Sequence, residues 1–199
     1  SYISFSEDSE PDAIPENNLI PIDADDGQEI TAIFSDQARL MVFKDRSIHA
    51  VETNEQDPSY WQHRLVVSKI GCDEGAAIRL PDGRYFFYTS TGDATNPSDT
   101  TGFYMWDVGS PRLVSREIND HLIGYSYAVY DMTYDHINNH IVIAGRRLAS
   151  HLERTDILRY DLDFDTWYIA YNVDEDLAVQ SVIDTDDLGI IYGDAYGRL

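Results

Sequence analysis

His136 and His140, four residues apart in the segment DHINNH, are the first residues in this chain whose type and spacing suggest chemistry. On a helix, that spacing would present two imidazoles on one face, as zinc sites require. The pair Asn138-Asn139 instead marks a tight turn between two strands, so the histidines should flank a hairpin. Because no third ligand is evident, we expect no zinc site here.

Asp161, Asp163 and Asp165 alternate in YDLDFDTWY in the manner of calcium ligands. An EF-hand loop also needs glycine at its sixth position and glutamate at its twelfth, and this segment has neither. Aspartate in a turn commonly accepts hydrogen bonds from its own backbone, so we interpret the segment as a hairpin turn. The acidic segment 23–27 fails the same template, and the segment 184–187 favours calcium even less.

Motifs for nucleophilic catalysis and nucleotide binding are missing as well. The segment GYSYA at 124–128 is one residue short of a nucleophile elbow, and it precedes a strand instead of linking a strand to a helix. Cys72, between Gly71 and Asp73, is typical of a small buried residue. Neither GxxxxGK[ST] nor GxGxxG occurs. The sequence therefore predicts no catalytic residue, no cofactor or cofactor-binding residue, and no metal ligand; we expect a protein that is not an enzyme.

The composition is that of a folded and strongly acidic chain. Of its 199 residues, 43% are hydrophobic, which can support a core, and 36 acidic residues against 14 basic ones give a net charge of −22. That charge repels nucleic acid and anionic membranes, so we expect no specific nucleic acid binding and no membrane partner. A single cysteine excludes an intrachain disulfide, which fits a reducing compartment.

Short strands separated by polar turns must position these side chains. Residues 27–53 read as three strands, ITAIFS, RLMVF and SIHAVE, and HRLVVS at 63–68 follows as a fourth. Similar strand-and-turn sets recur around alanines that lie 45, 51 and 50 residues apart. These are Ala32, Ala77, Ala128 and Ala178.

Four strands in a unit of about fifty residues is the period of a β-propeller blade. One such sheet cannot bury its own faces, and neighbouring sheets stacked around an axis cover them. We therefore predict an all-β fold, a propeller of four-stranded antiparallel blades, over residues 27–199. The blades are expected at roughly 28–70, 74–121 and 125–173, with a partial blade from 177. Either the strand at 2–5 completes a small ring, or the chain is a fragment of a larger propeller.

Three segments stand apart from the repeats. Residues 1–26 should form an extended N-terminal arm with one strand, since three prolines exclude a helix and scattered apolar residues favour docking. The polar loop 90–102 should be an exposed hairpin tip, and the helix candidate at 113–122 reads equally well as strand and loop. Trp61, Trp106 and Trp167 should pack between blades.

Four stretches resemble one family when taken in chain order. They are FSEDSEPDAIPENNLIPI at 5–22, ITAIFSDQARLMVFKDRSIHAVET at 30–53, IGCDEGAAIRLPDGRYFFYTSTG at 70–92 and IIYGDAYGRL at 190–199. Together they are similar to tail accessory or stabilisation proteins of short-tailed bacteriophages, which resemble propeller-bearing tail hub and nozzle subunits. The resemblance covers most of the chain.

The resemblance implies a structural virion protein of the phage tail, made in the cytoplasm of the host bacterium. Such proteins form part of the tail hub or nozzle below the portal and help to seal or extend the DNA conduit. The implied partners are other phage tail proteins, such as the portal, adaptor, tail needle or tailspike, and further copies of the chain in a homo-oligomeric ring. No cofactor or active site carries over from the family.

A carbohydrate- or ligand-binding bacterial propeller, which could be hydrolytic, is the competing interpretation. It would bind sugar through tryptophans and carboxylates at the axial opening. The sialidase-type repeat Ser-x-Asp-x-Gly-x-x-Trp is absent from the sequence. A third interpretation, a protein-interaction propeller of the kelch sort, lacks the double glycine of that repeat, although YDLDFDTWY resembles its strand-turn-strand unit.

Overall fold

The computed structural model forms two compact units, residues 1–72 and residues 73–199. It describes residues 1–6, 14–16, 18–55, 57–90, 101–107, 109–123, 127–149, 152–171, 179–185 and 189–194. Both units are built mainly from antiparallel strands, and each is described by itself below.

The first unit contains a two-stranded and a four-stranded sheet. Strands β1 (Tyr2–Ser4) and β2 (Leu19–Pro21) pair with each other. The larger sheet is a meander of β3 (Ile30–Asp36), β4 (Arg39–Lys44), β5 (Ser47–Glu52) and β6 (Gln62–Ser68). A single turn of 3-10 helix, Pro58–Tyr60, precedes β6. The two central strands are the most buried, as expected for strands covered on both faces.

The N-terminal segment docks through its second strand. Ile20 and Ile22 are buried and pack against Val42 and Val51 of the meander. The sequence predicted one strand in this arm, whereas the structure has two, because residues 19–21 pair in register with residues 2–4.

The second unit contains two further four-stranded meanders and a strand pair. The first meander consists of β7 (Ala77–Arg79), β8 (Tyr85–Thr89), β9 (Gly102–Trp106) and β10 (Arg112–Leu113). The next consists of β11 (Tyr127–Asp135), β12 (His140–Ala149), β13 (Leu152–Asp161) and β14 (Thr166–Tyr171). Strands β15 (Val179–Thr185) and β16 (Gly189–Asp194) form the pair.

The sheets of the second unit stack face to face in chain order. Alternate residues of β12 divide between two apolar clusters, as the period of a strand requires. Ile141 and Ile143 face the β7–β10 sheet in a cluster that includes Phe86. Val142 and Ala144 face the β15–β16 pair in a second cluster. The β11–β14 sheet is therefore covered on both faces.

The all-β prediction and its four-stranded antiparallel units are confirmed. In the segment 113–122, which the sequence reads equally well as a helix or as strand and loop, β10 ends at Leu113. A 3-10 turn, Arg116–Ile118, and helix α1, Asn119–Ile123, follow it. The Ser115 hydroxyl accepts a hydrogen bond from the Phe103 backbone N–H at 3.0 Å, which occupies the next donor that a longer β10 would have paired.

The tryptophans differ in their packing. Trp167 of β14 packs against Phe86 and Phe103 of the neighbouring sheet, as predicted for a residue between sheets. Trp106 is buried and packs on Tyr85 of its own sheet. Trp61 lies just before β6 and donates to the Glu55 carbonyl oxygen at 2.8 Å.

Aspartate-capped turns close the hairpins of the β11–β14 sheet. Asp135 is buried, and its Oδ1 accepts hydrogen bonds from the backbone N–H groups of Ile137 and Asn138, both at 3.1 Å. Its Oδ2 accepts from Asn138 Nδ2 at 2.8 Å. Asn139 then adopts a φ of 55°, the left-handed conformation that asparagine tolerates in turns.

Asp135→Asn should lower the free energy of unfolding by about 1 kcal/mol at pH 7, because an amide replaces a multiply bonded carboxylate. Burial alone would raise the pKa of Asp135, but hydrogen bonds from Asn138 and Ile137 and the charge of His140 hold it below its ordinary value. A lowered pKa stabilises the fold above about pH 4 and loses that contribution as pH falls through the folded-state value. Urea unfolding at pH 7 and pH 3 should show that the difference in free energy of unfolding between the unchanged protein and Asp135→Asn becomes smaller in acid. An equal difference at both pH values would contradict this account.

Candidate functional site

The histidines of DHINNH flank a hairpin, as predicted. Strand β11 ends at Asp135 and β12 begins at His140. His136 Nδ1 lies 2.5 Å from Asp184 Oδ2, and His140 Nε2 lies 3.2 Å from Asp161 Oδ2. The two imidazoles thus pair with carboxylates on different strands, and the structure does not bring them together as a ligand pair.

The aspartates of YDLDFDTWY also form a turn, as interpreted from the sequence. Asp161 Oδ1 accepts hydrogen bonds from the backbone N–H groups of Asp163 and Phe164, at 2.9 and 3.1 Å. Asp163 contacts Asn139, and Asp165 forms a two-point ion pair with Arg112 at 2.9 and 3.1 Å. The three carboxylates therefore engage different partners.

Cys72 is fully buried, and its Sγ lies 3.0 Å from the Thr31 hydroxyl. Burial in contact with a hydroxyl fits the structural role that its sequence context indicates. The segment 124–126 of the near-elbow motif, residues 91–100 of the polar loop, and residues 186–188 of the last acidic segment lie outside the described residues.

Asp23, His49 and His63 form a polar cluster in the first unit, at residues that the sequence did not single out as a set. Asp23 lies two residues after the end of β2 and has a φ of 41°. His49 lies in β5 and His63 in the neighbouring strand β6. One potential ligand atom from each lies within 4.8 Å of the other two. Among the described residues, no other group of three His, Cys, Asp or Glu side chains brings its potential ligand atoms within 4.8 Å of one another.

The carboxylate of Asp23 lies between the two imidazoles. His63 Nε2 donates to Asp23 Oδ1 at 3.1 Å, and His49 Nε2 lies 3.9 Å from Asp23 Oδ2. The ring centroids of the two histidines are 5.8 Å apart. The His49 side chain is 1% exposed and that of His63 is 28% exposed, so the cluster reaches from the interior to solvent.

Lys44 holds the backbone that carries Asp23. Its side chain is fully buried, and Nζ donates to the carbonyl oxygens of Ile22 and Asp23 at 2.8 and 3.2 Å. The same ammonium group contacts both carboxylate oxygens of Asp26 at 2.7 Å. A buried ammonium group is tolerated when it is paired and hydrogen-bonded, and here it ties residues 22–26 to the end of β4.

Gln28 fixes the direction of the hydrogen bonds that lead to His49. Its Oε1 accepts from the backbone N–H of Arg46 at 2.9 Å, and its Nε2 donates to Asp26 at 3.0 Å. The Ser47 hydroxyl, 3.2 Å from Gln28 Oε1, therefore donates to it. Ser47 then accepts from His49 Nε2 at 3.0 Å, which places the proton of a neutral His49 on Nε2. His49 Nδ1 is buried without a partner in the described part of the chain.

Burial and neighbouring charges set the protonation of the cluster. Burial lowers the pKa of His49 below its ordinary value, and the positive charge of Lys44 acts in the same direction. The negative charge of Asp23 opposes both effects. The hydrogen bond from His63 lowers the pKa of Asp23. At neutral pH the cluster therefore contains an ionised carboxylate beside a neutral, buried imidazole.

Two imidazoles and a carboxylate are ligands that bind zinc and related transition metals in proteins.

Sequence reasoning missed the cluster because its members come from three separate segments. One signal was present in the predicted meander. In the β5–β6 pair His49 lies opposite Leu65 and His63 opposite Val51, so the two histidines are diagonal neighbours on one face.

No family model matches the chain, and no curated protein matches it at a significant level. None of the helices among the described residues is long and apolar enough to cross a membrane.

Proposed function

We propose that this chain is a structural virion protein of a tailed bacteriophage. In this role it forms part of the tail hub or nozzle below the portal and helps to seal or extend the DNA conduit. The observation that carries the proposal is the threefold recurrence of a four-stranded antiparallel meander in consecutive order along the chain. The order of the resembling stretches in the sequence supports the same role.

In this proposal each meander is one blade of a β-propeller, and β15–β16 supply the first strands of the next blade. The face-to-face stacking within the second unit supports this arrangement. The β11–β14 sheet packs one face on the preceding sheet, through Tyr160 and Trp167, and the other on the following pair, through Val182. Neighbouring blades of a propeller cover each other's faces in the same way.

The charge of the chain suits the wall of a DNA passage. With 36 acidic and 14 basic residues, the protein repels a polyanion and lets it pass without adhesion. The partners in this role are other tail proteins and further copies of the chain arranged as a ring, and no cofactor takes part.

Electron microscopy tests this role directly. Purified protein should form ring-shaped oligomers in negative stain, with a matching mass by light scattering. An antibody against the chain should decorate the tails of phage particles from cultures that produce the protein. Neighbouring genes should encode portal and tail proteins. A stable monomer that binds a defined glycan on an array, with no labelling of particles, would overturn the proposal in favour of a carbohydrate-binding propeller.

A further inference from the structure

We infer that Asp23, His49 and His63 form a binding site for one divalent transition-metal ion of the zinc type. The inference rests on the geometry of the first unit and stands independently of the role in a phage tail. Each residue offers one ligand atom, a carboxylate oxygen or an imidazole nitrogen, and the three atoms lie within 4.8 Å of one another.

The distances fit a tetrahedral site after a small side-chain movement. Metal–ligand bonds of about 2.1 Å separate neighbouring tetrahedral ligands by roughly 3.4 Å. The Asp23–His63 and Asp23–His49 atom pairs are 3.1 and 3.9 Å apart, one on each side of that value. Three protein ligands leave a fourth position for water. His63, at the partly exposed side of the cluster, gives the ion a path from solvent.

The surroundings hold the ligands in position. The hydrogen bond between Nε2 and Ser47, which Gln28 orients in turn, holds the ring of His49 with that nitrogen near Asp23 in the absence of an ion. Lys44 fixes the main chain at Asp23. An ion bound at His49 Nε2 would replace the hydrogen bond to Ser47, and the proton of the ring would then lie on the buried Nδ1.

The chemistry of the donors favours zinc over calcium or magnesium. Calcium and magnesium take oxygen ligands, whereas two of the three donors here are imidazole nitrogens. Surface carboxylates, which are abundant in a chain with 36 acidic residues, bind hard cations weakly and without fixed stoichiometry. Excess magnesium should therefore compete for the surface and leave the cluster unaffected.

The test is calorimetric titration of the full chain with Zn²⁺ in buffer containing millimolar Mg²⁺. We expect one site per chain and a higher melting temperature in the presence of zinc. Cobalt substitution should give the visible absorption of a four-coordinate ion. His63→Ala should weaken binding by more than about tenfold, since the loss of a ligand exceeds the effect of losing an outer partner.

His136→Ala is the matched control, because His136 is a partly exposed histidine paired with a carboxylate outside the cluster. It should bind zinc as the unchanged protein does. Circular dichroism and melting without metal establish that both variants are folded, and Asp23→Asn provides a second ligand variant that keeps the main-chain bond to Lys44. Absence of a stoichiometric site, displacement by magnesium, or equal weakening by His136→Ala would each overturn the inference.

Discussion

Lys44→Met should destabilise the first unit by about 3 kcal/mol, since removing one partner of a buried ion pair leaves the other groups without their donor. The affected groups are the carbonyl oxygens of Ile22 and Asp23 and the carboxylate of Asp26. The Asp26 side chain is 24% exposed, so water recovers part of its solvation and the loss lies at the lower end for such pairs. Methionine retains much of the length of the lysine stem.

Hydrogen exchange during urea titration would measure this effect in β4 and β5 separately from the second unit. Arg64→Met is the control, because its ion pair with Glu52 is largely exposed and should contribute less than about 1 kcal/mol. In the double variant Lys44→Met with Asp26→Leu, part of the loss should return, because no carboxylate then remains unpaired. If Lys44→Met were no more destabilising than the control, Lys44 would not hold residues 22–26 in place.

The strands of this fold were predictable because their signals are local. Apolar runs bounded by polar turns placed β3 to β6, and the observed bounds of β5 agree with the sequence interpretation. The sequence interpretation ended the second strand, RLMVF, at Phe43 and so left Lys44 in the polar turn that follows. In the structure it is the last residue of β4 and is fully buried. Its partners lie 18 to 22 residues away, beyond the range of a local pattern.

The candidate site was not predictable for a related reason. The spacing of His136 and His140 is that of two metal ligands on one face of a helix. In the structure a turn separates them, and the two imidazoles pair with different carboxylates. His49 and His63 lie on neighbouring strands, and Asp23 reaches them only because the arm docks on the meander. Register and docking depend on buried side chains such as Ile22, and sequence spacing alone does not contain them.

Phe86→Ala should destabilise the second unit by about 4 kcal/mol, the loss typical of a fully buried phenylalanine. The ring of Phe86 lies 5.5 Å from Phe103 in its own sheet. It also lies 5.7 Å from Tyr160 and 6.3 Å from Trp167 in the next sheet. The substitution therefore opens a cavity between two sheets. Phe164→Ala is the control, because that ring is 77% exposed in a turn and its loss should cost less than about 0.5 kcal/mol.

A double-mutant cycle of Phe86→Ala with Trp167→Ala, followed by urea unfolding of each variant, tests the contact between the sheets. Residues in contact couple by about 0.5–3 kcal/mol, whereas distant ones add independently. We expect coupling of about 1 kcal/mol, since the two rings belong to different sheets and meet in one apolar cluster. Additive losses would mean that the sheets do not pack through these rings. That result would weaken the face-to-face stacking that supports the propeller proposal. If the two rings couple, ring assembly remains as the test of the proposal.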